Sequence, residues 1–179
     1  MIISLIGFMG CGKSSVGKEL KRLLSCDLID LDDYVENMTG RRIPEIFETD
    51  GEEAFRELEY KALEEIFSLH PAKTAKEEVK GTTELILCLG GGTLTKPAAA
   101  DLVKSHCRNF YLRASVDELV TDLEGRTENR PLLKGKQLRS RVTELLSTRE
   151  NLYETAADEI IDVEGLLFPE IADRIIRRI

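Results

Sequence analysis

Eight residues, Gly7-Phe8-Met9-Gly10-Cys11-Gly12-Lys13-Ser14, narrow the possible folds more than any other stretch of the 179. They match G-x-x-x-x-G-K-[ST] and follow an apolar run, Ile2–Ile6, that reads as a strand buried on both faces. Glycines let the backbone curl until successive N–H groups point inward, and a helix starting at Lys13 adds its positive dipole end. Such a loop cradles the phosphates of ATP. Lys13 reaches the β- and γ-phosphates, and the Ser14 hydroxyl is directed at Mg²⁺. At average residue frequencies, chance supplies the pattern in about 0.6% of chains this long. The competing reading, a plain glycine turn, therefore has little room. Cys11 fits the loop as a small residue and takes no catalytic role.

Strand and helix patterns alternate beyond the loop. Strands are expected at 2–6, 28–31, 85–89, 109–112 and 160–163. Helices are expected at 13–24, 33–38, within 43–67 (interrupted near Asp50-Gly51), 116–123, 137–153 and 169–177. Strands separated by helices predict an α/β protein with a parallel sheet. The polar stretch 69–83 reads as an exposed insertion and 125–135 as a loop, all within one domain spanning 1–179.

Charge and cysteines remove several function classes. The net charge of −8 weighs against a nucleic-acid or anionic-membrane surface. The segment 125–150 nevertheless carries +4, enough to handle a small anion, although a solvated helix face would look the same. Cys11, Cys26, Cys88 and Cys107 form no CxxC pair, and with only two histidines a zinc site is not expected. No apolar run reaches the length of a membrane span, so the chain is expected to be cytoplasmic. A guanine-reading N-K-x-D is missing, and the D-x-x-G at 162–165 falls after the last strand. These features favour a small-molecule kinase over a GTPase or a motor ATPase.

Asp30-Leu31-Asp32 is expected to close strand two, where the carboxyl ends of a parallel sheet face the ligand crevice. One carboxylate there can hold magnesium through water and the other can accept a hydroxyl proton. Acids at a strand end also cap the following helix. That plainer role is expected of Asp33 rather than of Asp30 or Asp32.

Together with the phosphate loop, the segments IDLD, IPEIFETDGEEAFRELE, LGGGT, NRPLL and RENLYETAAD resemble shikimate kinase in order and spacing over nearly the whole chain. The resemblance implies the nucleoside monophosphate kinase-like fold, a P-loop three-layer sandwich with a five-stranded parallel sheet, a substrate-binding region and a lid at about 125–135. It implies ATP-dependent phosphorylation of the shikimate 3-hydroxyl, with Mg²⁺ as cofactor and ATP and shikimate as partners; no nucleic-acid or membrane partner is expected from the charge, and a monomer is expected.

By the same resemblance, Gly10, Cys11, Gly12, Lys13, Ser14 and Ser15 hold ATP, and Arg126 lies against adenine. Ser14 and, through water, Asp30 belong to the magnesium shell. Asp32 is the base, with Lys13 and Arg130 also catalytic. Asp32, Arg56, Gly90, Gly91, Gly92, Arg130 and Arg149 contact the acceptor, the arginines gripping its carboxylate with planar forks. For Arg56 and Arg149 the alternative is a surface ion pair. Cys88 stands where the family commonly carries Ser, 69–83 is longer than usual, and Pro169 is a candidate near adenine. Gluconate remains the alternative acceptor on the same scaffold.

Overall fold

Every residue of β1 (Ile2–Ile6) is buried, which requires neighbours on both edges and cover on both faces. In the computed structural model, which describes residues 1–71, 83–125, 131–133 and 137–179, β1 lies at the centre of a five-stranded sheet. β3 (Leu85–Cys88) flanks β1 on one side, with β2 (Asp27–Asp30) outside it. β4 (Cys107–Arg113) flanks the other side, with β5 (Glu159–Asp162) outermost. All pairings are parallel, in the order β2-β3-β1-β4-β5. Leu5 and Asp30 both register with Cys88, so the loops leaving β1, β2 and β3 emerge at one end of the sheet. The order reverses across β1, and the crevice at such a reversal is where open α/β sheets bind ligands.

The helices are α1 (Lys13–Leu24), α2 (Leu31–Thr39), α3 (Ile43–Thr49), α4 (Gly51–Leu69), α5 (Pro97–His106), α6 (Val116–Leu123), α7 (Leu138–Ala156) and α8 (Phe168–Ile176). The sequence pattern did not predict α5. Its buried face consists only of Ala99 and Val103, too sparse a stripe to show a period, although Pro97 at its start is a helix-opening signal. β2 ends one residue earlier than expected. Leu31 opens α2, and Asp32 therefore sits in a helical turn instead of closing the strand. The cap expected of Asp33 is made by Asp30, whose carboxylate accepts from the Asp32 amide. The expected insertion lies mostly outside the described residues, as do 126–130 and 134–135 of the expected lid. Among the described residues no helix is long and apolar enough to cross a membrane.

Gly17, buried in α1, brings that helix close to β3. A Cβ there would meet the Cys88 sulfur at 2.7 Å and a Leu28 methyl at 3.0 Å. Helix propensity alone favours Gly17→Ala by about 1 kcal/mol, yet the overpacking should prevail. Urea unfolding should show a net loss of about 1–2 kcal/mol. Cys88→Ala in the same chain should recover most of it, since the two side chains compete for one space. A Gly17→Ala protein more stable than the parent would contradict this packing.

Candidate active site

Gly7, Gly10 and Gly12 have φ of 140°, 90° and 89°, values that let the chain between β1 and α1 curl. Gly12 is the N-cap of α1 and supplies no side-chain cap, so the first amides of the helix are left for a ligand. The Lys13 ammonium donates to the carbonyls of Gly7 and Phe8, both at 2.8 Å, which folds it back across its own loop. Cys11 is buried beside it, and Ser15 is half-buried in the first turn. The exposed Phe168 ring lies against Gly12, with ring carbons from 2.9 Å of where a Cβ would stand. Pro169, the residue expected there, is exposed one position further on.

The Ser14 hydroxyl donates to Asp30 at 2.5 Å, while the other Asp30 oxygen holds the Asp32 amide. Asp30 is therefore both cap and partner of the phosphate loop. The pair consists of hard oxygen donors at the mouth of a phosphate site, which suits Mg²⁺, an ion that takes one or two protein ligands and keeps phosphate and water. Among the described residues no three His, Cys, Asp or Glu side chains gather to hold a metal, so such an ion would draw most of its ligands from elsewhere. Cys88 faces α1 and its thiol donates to the Lys13 carbonyl at 3.4 Å; burial pushes its pKa well up. It is a neutral packing group here.

Gly90, Gly91 and Gly92 press against the protein's own side chains and backbone. None has a positive φ, so space and not conformation is what demands glycine. A Cβ on Gly90 would meet Glu59 at 2.5 Å and Asp32 at 2.9 Å, one on Gly91 would meet the Met9 backbone at 2.9 Å, and one on Gly92 would strike the Arg56 guanidinium. Arg56 is buried and donates to Glu59 at 2.5 Å and to Glu52 at 2.8 Å. Arg149 is 4% exposed and donates to the Gly91 carbonyl at 3.2 Å, which also accepts from the Tyr153 hydroxyl at 2.5 Å. Neither arginine is the surface ion pair that its acidic neighbours suggested. Arg56, Asp32 and the three glycines line a cleft of about 280 Å³ together with Phe47 and Leu132. Arg126 and Arg130 lie outside the described residues.

The sequence reading overlooked Glu59, Thr93 and Tyr153. Glu59 lies one helical turn beyond Arg56 and Tyr153 one turn beyond Arg149, and these i+3 and i+4 spacings were the available signal. Glu59 is 1% exposed. Burial raises its pKa, opposed by Arg56 and by the Thr93 hydroxyl, which donates at 2.5 Å. With both oxygens accepting short hydrogen bonds, the carboxylate is held in its charged form. That charge acts on Asp32, whose pKa is pushed up to about 7 by burial first, then by Glu59 and Asp30.

A family model described as shikimate kinase matches residues 9–179. The chain is 34% identical over 179 residues to a shikimate kinase of Dictyoglomus turgidum, covering 99% of this chain and 96% of that protein. It is 39% identical over 175 residues to one of Thermodesulfovibrio yellowstonii, covering 98% and 92%. Among solved structures, shikimate kinase from Acinetobacter baumannii in complex with shikimate superposes with a TM-score of 0.88 at 31% identity, covering 99% of this chain and 91% of that one.

The raised Asp32 pKa has a consequence for stability in the absence of ligands. Below about pH 4 the carboxyl is protonated whether folded or unfolded. Between there and about pH 7 the folded protein binds the extra proton, so stability falls as pH rises and then levels off. Asp32→Asn should therefore stabilise the free protein by up to about 4 kcal/mol at pH 8, and the gain should fade towards pH 4. Denaturant unfolding across that range measures it, and a pH-independent difference would contradict the assignment.

Proposed function

The chain belongs to the shikimate kinase family, and from that membership we propose how its cleft carries out the phosphorylation of shikimate. It is an ATP-dependent phosphotransferase acting on a hydroxyl group, and the family does not favour gluconate as the acceptor. The observation that carries the residue assignments is the convergence of Asp32, Arg56 and the three glycines around a cleft the size of a small organic acid, beside the loop that carries Lys13.

We propose that the phosphates lie on the amides of residues 10–15, where Lys13 leaves the Gly7 and Phe8 carbonyls to neutralise the γ-phosphoryl group. Mg²⁺, held by Ser14 and through water by Asp30, would supply charge neutralisation for the leaving ADP. The Phe168 ring beside Gly12 offers adenine an apolar face. Arg56 and Arg149 take the shikimate carboxylate and so fix which hydroxyl reaches Asp32. Asp32 accepts the hydroxyl proton as the oxygen bonds to the γ-phosphorus and the bond to the β-phosphate oxygen breaks. A base with a pKa near 7 suits a proton transfer at neutral pH. From the motif alone, Arg130 is proposed to close over both substrates and Arg126 to lie on the adenine. A monomer is our proposal for the working unit, and the cytoplasm for its location.

Steady-state kinetics with ATP, magnesium and shikimate test these roles. Asp32→Asn should lower kcat by orders of magnitude. Arg56→Lys, which keeps charge and loses the fork, should raise the KM for shikimate about tenfold or more and leave that for ATP nearly unchanged. Lys13→Ala should nearly abolish turnover. Asp32→Asn with kcat within a few-fold of the parent would remove the base from the mechanism.

A further inference from the structure

Glu52 stands in the first turn of α4, one helical turn before Arg56, with its side chain 43% exposed. Its Oε1 accepts from Arg56 at 2.8 Å and lies 3.8 Å from an Arg149 amino group. One carboxylate thus spans the two arginines assigned to the acceptor. The other Arg56 amino group is committed to Glu59 in the interior and Nε is buried without a partner, so Glu52 holds the amino group that faces outward to a second carboxylate. The two acids differ in freedom. Glu59 is clamped by Arg56 and Thr93 and is almost fully buried, whereas the half-exposed Glu52 can turn into water at little cost.

We propose that Glu52 is a selectivity residue: an internal carboxylate that occupies the arginine pair and must be displaced by the carboxylate of the acceptor. This rests on the reading of Arg56 and Arg149 as the acceptor clamp. A tethered carboxylate acts at an effective concentration on the order of millimolar or more. An anion that offers charge alone displaces it only at high concentration. An acceptor that also places hydroxyls against Asp32 gains enough from those contacts to do so. Discrimination then comes from weakening all anions alike and letting only the ligand with further contacts recover the loss. If Glu52 merely oriented Arg56, as Glu59 does, removing its charge would have the opposite effect on acceptor binding.

Calorimetric titration of shikimate into the parent, Glu52→Gln and Glu53→Gln, at constant ionic strength, separates the two. Glu53 is an exposed neighbour on the same helix and controls for charge at a distance. Glu52→Gln should bind shikimate roughly two- to fivefold more tightly. Sodium acetate should compete with shikimate at correspondingly lower concentration, while Glu53→Gln matches the parent. Glu52→Ala should behave as Glu52→Gln does. Equal or weaker shikimate binding by both Glu52 variants, with acetate competition unchanged, would overturn the proposal. A parent that binds ATP but not shikimate would remove the clamp reading itself, and this proposal with it.

Discussion

Arg56 can lie under the glycine turn only because Gly92 has no side chain. The guanidinium occupies the space a Cβ would take, and Gly90 makes the same room for Glu59 and Asp32. A charge buried this deeply is costly unless paired, and removing one partner of such a pair commonly costs about 3–5 kcal/mol. Here Glu59 neutralises Arg56, and Thr93, the residue following the glycines, holds the second oxygen of Glu59. The turn, the arginine, the glutamate and the threonine form one packed unit, joined from the other side by Arg149 and Tyr153 on the Gly91 carbonyl.

The chemistry at Asp32 follows from that unit. Glu59 must be ionised to pair with Arg56, and its charge then stands beside Asp32 behind the bare backbone of Gly90. Arg56 and Asp32 are therefore electrically connected: the carboxylate that steadies the arginine also raises the proton affinity of the aspartate. Asp30 makes a second such link. By accepting from both Ser14 and the amide of Asp32, it ties the glycine-rich loop to the helix that carries Asp32. The loop after β1 and the cleft beside Asp32 are thereby held in fixed relation at the end of the sheet.

Much of this arrangement was legible in the sequence where chemistry dictates residue type at fixed spacing. The phosphate loop, the paired aspartates and the GGG run are local patterns, and the alternation of strands with helices carries the sheet. What escaped depends on contacts between distant positions. Thr93 and Glu59 meet across 34 positions and Tyr153 and Gly91 across 62, separations that no local pattern encodes. The burial of Arg56 escaped for the same reason, since the space it fills is set by a glycine on another loop. α5 was missed because its buried stripe is only two small residues, and Asp30 was denied a cap that it makes while also serving Ser14.

The claim that the acceptor clamp is set by packing of Arg56 against a bare backbone is tested most directly by Gly92→Ala. The backbone there has φ −120° and ψ 0°, outside the left-handed region that demands glycine, so the substitution acts chiefly through the space that Arg56 fills. Calorimetric titration of this variant should show ATP binding close to that of the parent and shikimate binding weakened at least tenfold, as Arg56 is driven from its place. Shikimate affinity equal to the parent's would show that the arginine does not depend on that space, and would contradict the clamp described here.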